Sequence, residues 1–149
     1  MKQEDFIEVL DEKRYPYEIE GNKIVVTHKG TVNLRPLISL PPGVEFRNRG
    51  TVNLESLTSL PPGVVFNNGG GVYLRSLTSL PPGVEFKNEE AVDLKSLTSL
   101  PPGVVFRNRG DVYLRSLIRG GFQDWKGNIE GIDSKRLLNK MIADGLFAR

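Results

Sequence analysis

The residues whose types and spacing could do chemistry are four asparagines, two tyrosine–arginine pairs and one histidine. Asn48, Asn68, Asn88 and Asn108 recur every twenty residues without substitution. A primary amide offers two donors and one acceptor. A row of them could hold a ligand, or it could satisfy backbone groups left over at the corners of a repetitive fold; the second use is expected, because uncapped corners leave N–H and C=O groups without partners. His28, the only histidine, lies twenty residues before Asn48 and so at the phase of the same row. A corner role is expected for it, not catalysis. Glu85, Glu89, Glu90 and Asp93 could form a carboxylate pair or a weak hard-cation site, but nothing in their spacing makes them converge, and a solvated charged corner is the expectation. The chain has no cysteine, hence no disulfide and no thiolate site. It has no phosphate-cradling loop and no nucleophile elbow. Gly69-Gly70-Gly71 reads as a corner. No catalytic residue, metal or cofactor is assigned, and a non-enzyme is expected.

The elements that position these residues follow from the repeat. From Gly30 the chain reads GTVNLRPLISLPPGVEFRNR, GTVNLESLTSLPPGVVFNNG, GGVYLRSLTSLPPGVEFKNE and EAVDLKSLTSLPPGVVFRNR, then a half copy, GDVYLRSLIR, ending at Arg119. Self-similarity at such a period marks a solenoid in which each coil buries its apolar face against its neighbours. Within a copy, Val72-Tyr73-Leu74-Arg75 and Val84-Glu85-Phe86-Lys87 alternate as short half-buried strands do. Pro81-Pro82-Gly83 between them forbids helix and suits a type II turn. The fold expected is mainly β: a parallel β-solenoid with two short strands per coil and like strands stacked ~4.8 Å apart. Its core is a set of columns at steps of twenty: Val32 to Val112, Leu34 to Leu114, Leu37 to Leu117, Leu40 to Leu100, Val44 to Val104 and Phe46 to Phe106.

These columns point inward, so recognition must use the outward positions, where the copies differ. The expected partner-binding set is Tyr73, Arg75, Asp93, Lys95, Tyr113 and Arg115, with Val65 and Val105 on the other strand. Tyrosine beside arginine is the composition preferred at binding hot spots, and both the tyrosines and the valines return every second coil. Duplication of a forty-residue unit would leave the same alternation without function.

The ends are expected to differ from the middle, since a bare solenoid end exposes strand edges. Residues 1–29 read as an N-terminal cap: a helix near Gln3–Lys13 with Phe6, Ile7, Val9 and Leu10 on its apolar face, then a degenerate coil in which Ile24–Gly30 overlays Val44–Gly50. Residues 30–119 are the solenoid. Residues 120–149 read as a C-terminal capping segment, with Phe122 and Trp125 over the last coil and a helix capped by Asp133, running to about Ala143 and stopped by Gly145. Leu137, Leu138, Met141 and Ile142 share one side of it; folding back as a cap is the expectation, docking on a partner the alternative. All three segments belong to one domain.

Net charge is +2 overall, but −4 over residues 1–20 and +5 over 21–120. A mildly basic rod is not the clustered basic face that nucleic acid requires, so nucleic acid is not the expected partner. The acidic start lacks the apolar run of a signal peptide, no apolar run reaches membrane-spanning length, and the compartment expected is the cytoplasm.

The stretch S-L-T-S-L-P-P, at Ser56–Pro62 and Ser76–Pro82, resembles the L-T-S-L-P segment of short bacterial leucine-rich repeats, over about Gly30–Arg119. In that resemblance Val72-Tyr73-Leu74 corresponds to the strand lining the concave face. Chains of this repeat style are similar to small bacterial and bacteriophage leucine-rich proteins, and the resemblance implies protein binding. The function expected is therefore a non-enzymatic protein-interaction module, with a homodimer left open. The alternative is binding or sequestration of a nucleotide or anionic metabolite around Arg119, Trp125 and Lys126.

Overall fold

Every coil turns at Pro-Pro-Gly, and Gly43, Gly63, Gly83 and Gly103 all take positive φ, between 77° and 95°. That is the conformation a type II turn requires at its second central residue, and glycine adopts it without steric cost. The polar corner after each Asn turns the chain back, and the two bends close a coil of twenty residues.

The computed structural model describes residues 1–118, 128–129 and 131–145. In chain order the elements are α1 (Gln3–Glu12), β1 (Tyr17–Glu20), β2 (Lys23–Val26), β3 (Val32–Asn33), β4 (Val44–Phe46), β5 (Val52–Asn53), β6 (Val65–Phe66) and β7 (Val72–Tyr73). They continue with β8 (Glu85–Phe86), β9 (Val92–Asp93), β10 (Val105–Phe106), β11 (Val112–Tyr113), α2 (Arg115–Ile118), β12 (Asn128–Ile129) and α3 (Gly131–Ala143). The strands form two six-stranded sheets. Sheet A runs β1-β2-β4-β6-β8-β10 and sheet B runs β12-β11-β9-β7-β5-β3. Between coils the pairing is parallel with no offset: Val52 faces Val72, and Phe66 faces Phe86. The fold is thus the mainly β parallel solenoid that the repeat implies, with small helices at its ends.

Zero offset stacks like residues, and the expected columns are buried. Phe46, Phe66, Phe86 and Phe106 stack face to face with ring centroids 5.0–5.5 Å apart. Each ring removes enough apolar surface from water to contribute ~1.5–3 kcal/mol relative to exposure. One column is incomplete: Leu37 is only partly buried, whereas Leu57, Leu77 and Leu97 are sealed.

The asparagine row is structural, as its phase implies. Asn68 Nδ2 donates to the carbonyl oxygens of Gly50 (3.1 Å), Gly70 (3.2 Å) and Gly71 (3.0 Å). Asn48, Asn88 and Asn108 repeat the pattern, each bonding one carbonyl of the preceding coil and two of its own corner. Two protons thus serve three acceptors in a corner that water does not reach. The Oδ1 atoms have no hydrogen-bond partner among the described residues, so the amide works as a donor alone.

The N-terminal end matches the degenerate coil. Ile24, Val25 and Val26 pair in register with Val44, Glu45 and Phe46. His28 O accepts from Arg49 N at 3.1 Å, as Asn48 O does from Gly69 N at 2.9 Å, and the imidazole packs on Tyr15 with centroids 4.7 Å apart. Phe6 and Leu10 of α1 close the core there. At the other end Leu138 and Ile142 of α3 enter the core. Asn139 acts as a surrogate strand for β10: Phe106 N donates to its Oδ1 (2.8 Å) and its Nδ2 donates to Phe106 O (2.9 Å). The helix begins three residues earlier than expected, so Asp133 stands in its first turn and not at the capping position; acidic residues are favoured there too, by the helix dipole. Gly145, at φ +76°, ends it as expected. Phe122 and Trp125, expected over the last coil, lie outside the described residues.

Candidate functional site

Sheet B carries the tyrosines on its outer face. One outward column is Asn33, Asn53, Tyr73, Asp93, and Tyr113, and the next is Arg35, Glu55, Arg75, Lys95 and Arg115. Where the first column holds Asn or Asp, the side chain ends the strand by an Asx turn: Oδ1 accepts from the backbone N–H two residues on, at 3.1 Å for Asn33, 3.1 Å for Asn53 and 3.3 Å for Asp93. Tyrosine cannot do this. Its ring ends beside Gly71, where an added methyl group would meet Ala91 O at 3.3 Å and Cζ and Oη of Tyr73 at 3.7 Å, the latter an ordinary contact. The Arg75 guanidinium covers the same ring at 5.5 Å from its centroid.

Arg75 is itself forked between coils. Its Nε donates to Asp93 Oδ2 at 2.7 Å and its Nη1 to Glu55 Oε1 at 2.9 Å. Arg35 Nε bonds the other oxygen of Glu55 at 2.9 Å, and Lys95 Nζ lies 3.8 Å from Asp93. A lateral row of alternating charge results. The hydrogen bond and charge of Asp93, with a smaller contribution from Glu55, push the Arg75 pKa further above its already high value, against some desolvation. Arg75 is a fixed cation held over an aromatic face.

One sequence expectation changes here. Asp93 was expected on the exposed surface; it is buried, 3 % exposed, beneath Arg75 and Lys95. It positions the arginine. The eight expected partner-binding residues divide between the two sheets, as their places on the two strands of each coil imply. Tyr73, Arg75, Asp93, Lys95, Tyr113 and Arg115 belong to sheet B and its continuation, while Val65 and Val105 are half-buried in sheet A. The recurring residues are isolated within each sheet: Asp93 lies between Tyr73 and Tyr113, and Glu85 between Val65 and Val105. Glu55 and Gly71 were missing from the expected set, and both shape the Tyr73 site. The opposite charge of Glu55, one period before Arg75, was the available signal.

Sheet A has its own outer network. Glu45, expected to be exposed, is 6 % exposed. Arg47 Nε bonds its carboxylate and Lys23 Nζ lies 3.6 Å from it, while Arg47 Nη1 reaches Glu20 at 3.0 Å. The Glu45 bond is the main cause of an upward shift in the Arg47 pKa. A shallow recess of about 280 Å³ lies beside it, lined by Arg47, Arg49, Asn67, Gly69 and Glu89 and by the Asn48 and Asn68 amides already committed to backbone. Among the described residues no three His, Cys, Asp or Glu side chains converge as a metal site, and no helix is long and apolar enough to cross a membrane. Arg119, Trp125 and Lys126, the alternative ligand site, lie outside the described residues.

Compared with protein-family models, curated proteins and solved structures, the chain matches none of them.

Proposed function

We propose that this protein is a non-enzymatic protein-interaction module that reads its partner with the outer face of sheet B, centred on Tyr73 and Arg75. The observation that carries the reading is the pre-organised pair itself. The Tyr73 ring ends beside Gly71, and Arg75 is held over that ring by carboxylates from the coils on either side. An arginine already fixed in its bound geometry loses little side-chain entropy on association, the usual cost of ordering such a residue being about 0.5–1.5 kcal/mol. Tyr113 and Arg115 present the same residue types two coils further on. The alternation of Arg35, Glu55, Arg75, Asp93 and Lys95 favours a partner whose charges are complementary in register, which supplies selectivity more than affinity. The resemblance of the S-L-T-S-L-P-P segments to bacterial and bacteriophage leucine-rich repeats supports protein binding over small-molecule chemistry.

The test is a quantitative capture experiment from extract, with the wild-type chain, Tyr73→Ala and Arg75→Ala immobilised in parallel and their melting curves recorded. A partner held through this face is lost from Tyr73→Ala by a factor of about thirty, the effect of removing a hot-spot residue. Equal recovery on all three folded chains would exclude this face.

A further inference from the structure

Apart from the sheet B face, the N-terminal edge of sheet A ends in an uncovered strand. Among the described residues β1 is the last strand of its sheet, and β2 is its one neighbour there. The pairing is antiparallel, with Tyr17 opposite Val26, Glu18 opposite Val25, Ile19 opposite Ile24 and Glu20 opposite Lys23. Thr27 N donates to Pro16 O at 2.9 Å, which sets the phase of the ladder. Hydrogen-bonded and non-hydrogen-bonded pairs alternate in an antiparallel ribbon. Glu18 and Glu20 therefore spend their backbone groups on β2, and the N–H and C=O of Tyr17 and Ile19 point outward along the edge.

The side chains alternate as well. Tyr17 packs against the core, so Ile19 lies on the same face, but past the end of the core: it is 56 % exposed, one of three large apolar residues so exposed among those described. Glu18 and Glu20 occupy the opposite face, where Glu20 meets Arg47. The surroundings are acidic, residues 1–20 having a net charge of −4. Open edges of this kind invite another strand, and charge decides which one. A second copy pairing β1 to β1 would set glutamates against glutamates. A strand that alternates basic and apolar residues would meet Glu18 and Glu20 with one face and Ile19 with the other.

We propose that β1 accepts, by strand addition, an extended segment of a partner protein in which lysine or arginine alternates with aliphatic residues. The segment takes its backbone hydrogen bonds from Tyr17 and Ile19.

The probe is a short synthetic peptide alternating lysine with valine, titrated into the isotope-labelled full chain and followed by amide NMR shifts. The Tyr17 and Ile19 amides should move, and added salt should weaken binding. Glu18→Lys should weaken it about tenfold, since the Glu18 side chain has no hydrogen-bond or ion-pair partner among the described residues and its replacement reverses the local charge. Ile19→Pro removes an outward donor without breaking the β2 ladder and should abolish binding. Tyr73→Ala should leave the titration unchanged, which separates this edge from the sheet B face. Stationary Tyr17 and Ile19 amides, equal affinity for a peptide with its lysines and valines in separate blocks, or a self-associated chain paired through β1 would each overturn the proposal.

Discussion

Replacing Asn68 by Asp changes one atom pair and tests the asparagine row most sharply. In the wild type Asn68 is 1 % exposed and Nδ2 faces three carbonyl oxygens at 3.0–3.2 Å. An ionised carboxylate there would repel all three without water to compensate, so the folded chain must keep the acid protonated and its pKa rises well above the usual ~3.9. The protonated acid donates one hydrogen bond, and two carbonyls lose theirs. At about 1 kcal/mol each, Asn68→Asp is destabilised by about 2 kcal/mol even at about pH 4. Above that, the unfolded chain has released its proton while the folded chain still holds it. Stability then falls with rising pH by about 1.4 kcal/mol per unit until the folded-state pKa is passed. Each unit over which the folded chain holds the proton adds its share, so holding it through neutrality adds about 4 kcal/mol over about three units, for a total near 6 kcal/mol at about pH 7, comparable with the whole stability of a small domain. Urea unfolding of both chains at about pH 4, 5.5 and 7 measures this directly. The wild-type amide does not titrate, so the difference between the curves belongs to residue 68. A pH-independent gap, or one below about 1 kcal/mol at neutrality, would refute the donor-only role.

Two glycine substitutions should separate close approach from backbone strain. A Cβ on Gly50 would lie 2.6 Å from both Gly30 C and Thr31 N of the preceding coil, so Gly50→Ala should cost about 3 kcal/mol, whereas Gly83→Ala, at φ +83° with nothing within 4 Å, should cost about 1 kcal/mol. Calorimetric melting of the two variants checks the order, and the reverse order would contradict it. Glu90 holds the place equivalent to Gly50, above the Gly69-Gly70-Gly71 corner. At the C-terminal end, Asn139→Ala removes both bonds that close β10, about 2 kcal/mol of local protection. Hydrogen exchange at the Phe106 amide should speed about thirtyfold. An unchanged rate there would mean that α3 does not seal the sheet.

How much of this molecule could be read from its residues depends on whether a residue repeats. Columns such as Val32 to Val112 and Phe46 to Phe106 recur at one spacing, and parallel strands pair without offset, so a repeated residue must stack on its copies. Burial of the apolar columns, the corner role of Asn48, Asn68, Asn88 and Asn108, and the positive φ of the Pro-Gly turns all follow from that one regularity. The places where the copies differ were not legible. Asp93 looks like an exposed acid in its own copy; it is buried because Arg75 and Lys95 close over it.

The twenty-residue period alone thus determined the coil, the core and the direction of every repeated side chain. Only the tertiary structure decided that Arg75 bridges Glu55 to Asp93 above Tyr73, that the Asn139 amide closes the edge of β10, and that β1 is the end of its sheet among the described residues, with the Tyr17 and Ile19 backbone groups turned away from β2. The physical reason is one of range. A repeat specifies contacts between equivalent positions, whereas a rotamer, a cap or an edge is set by unlike groups brought together from other coils or from segments that do not repeat.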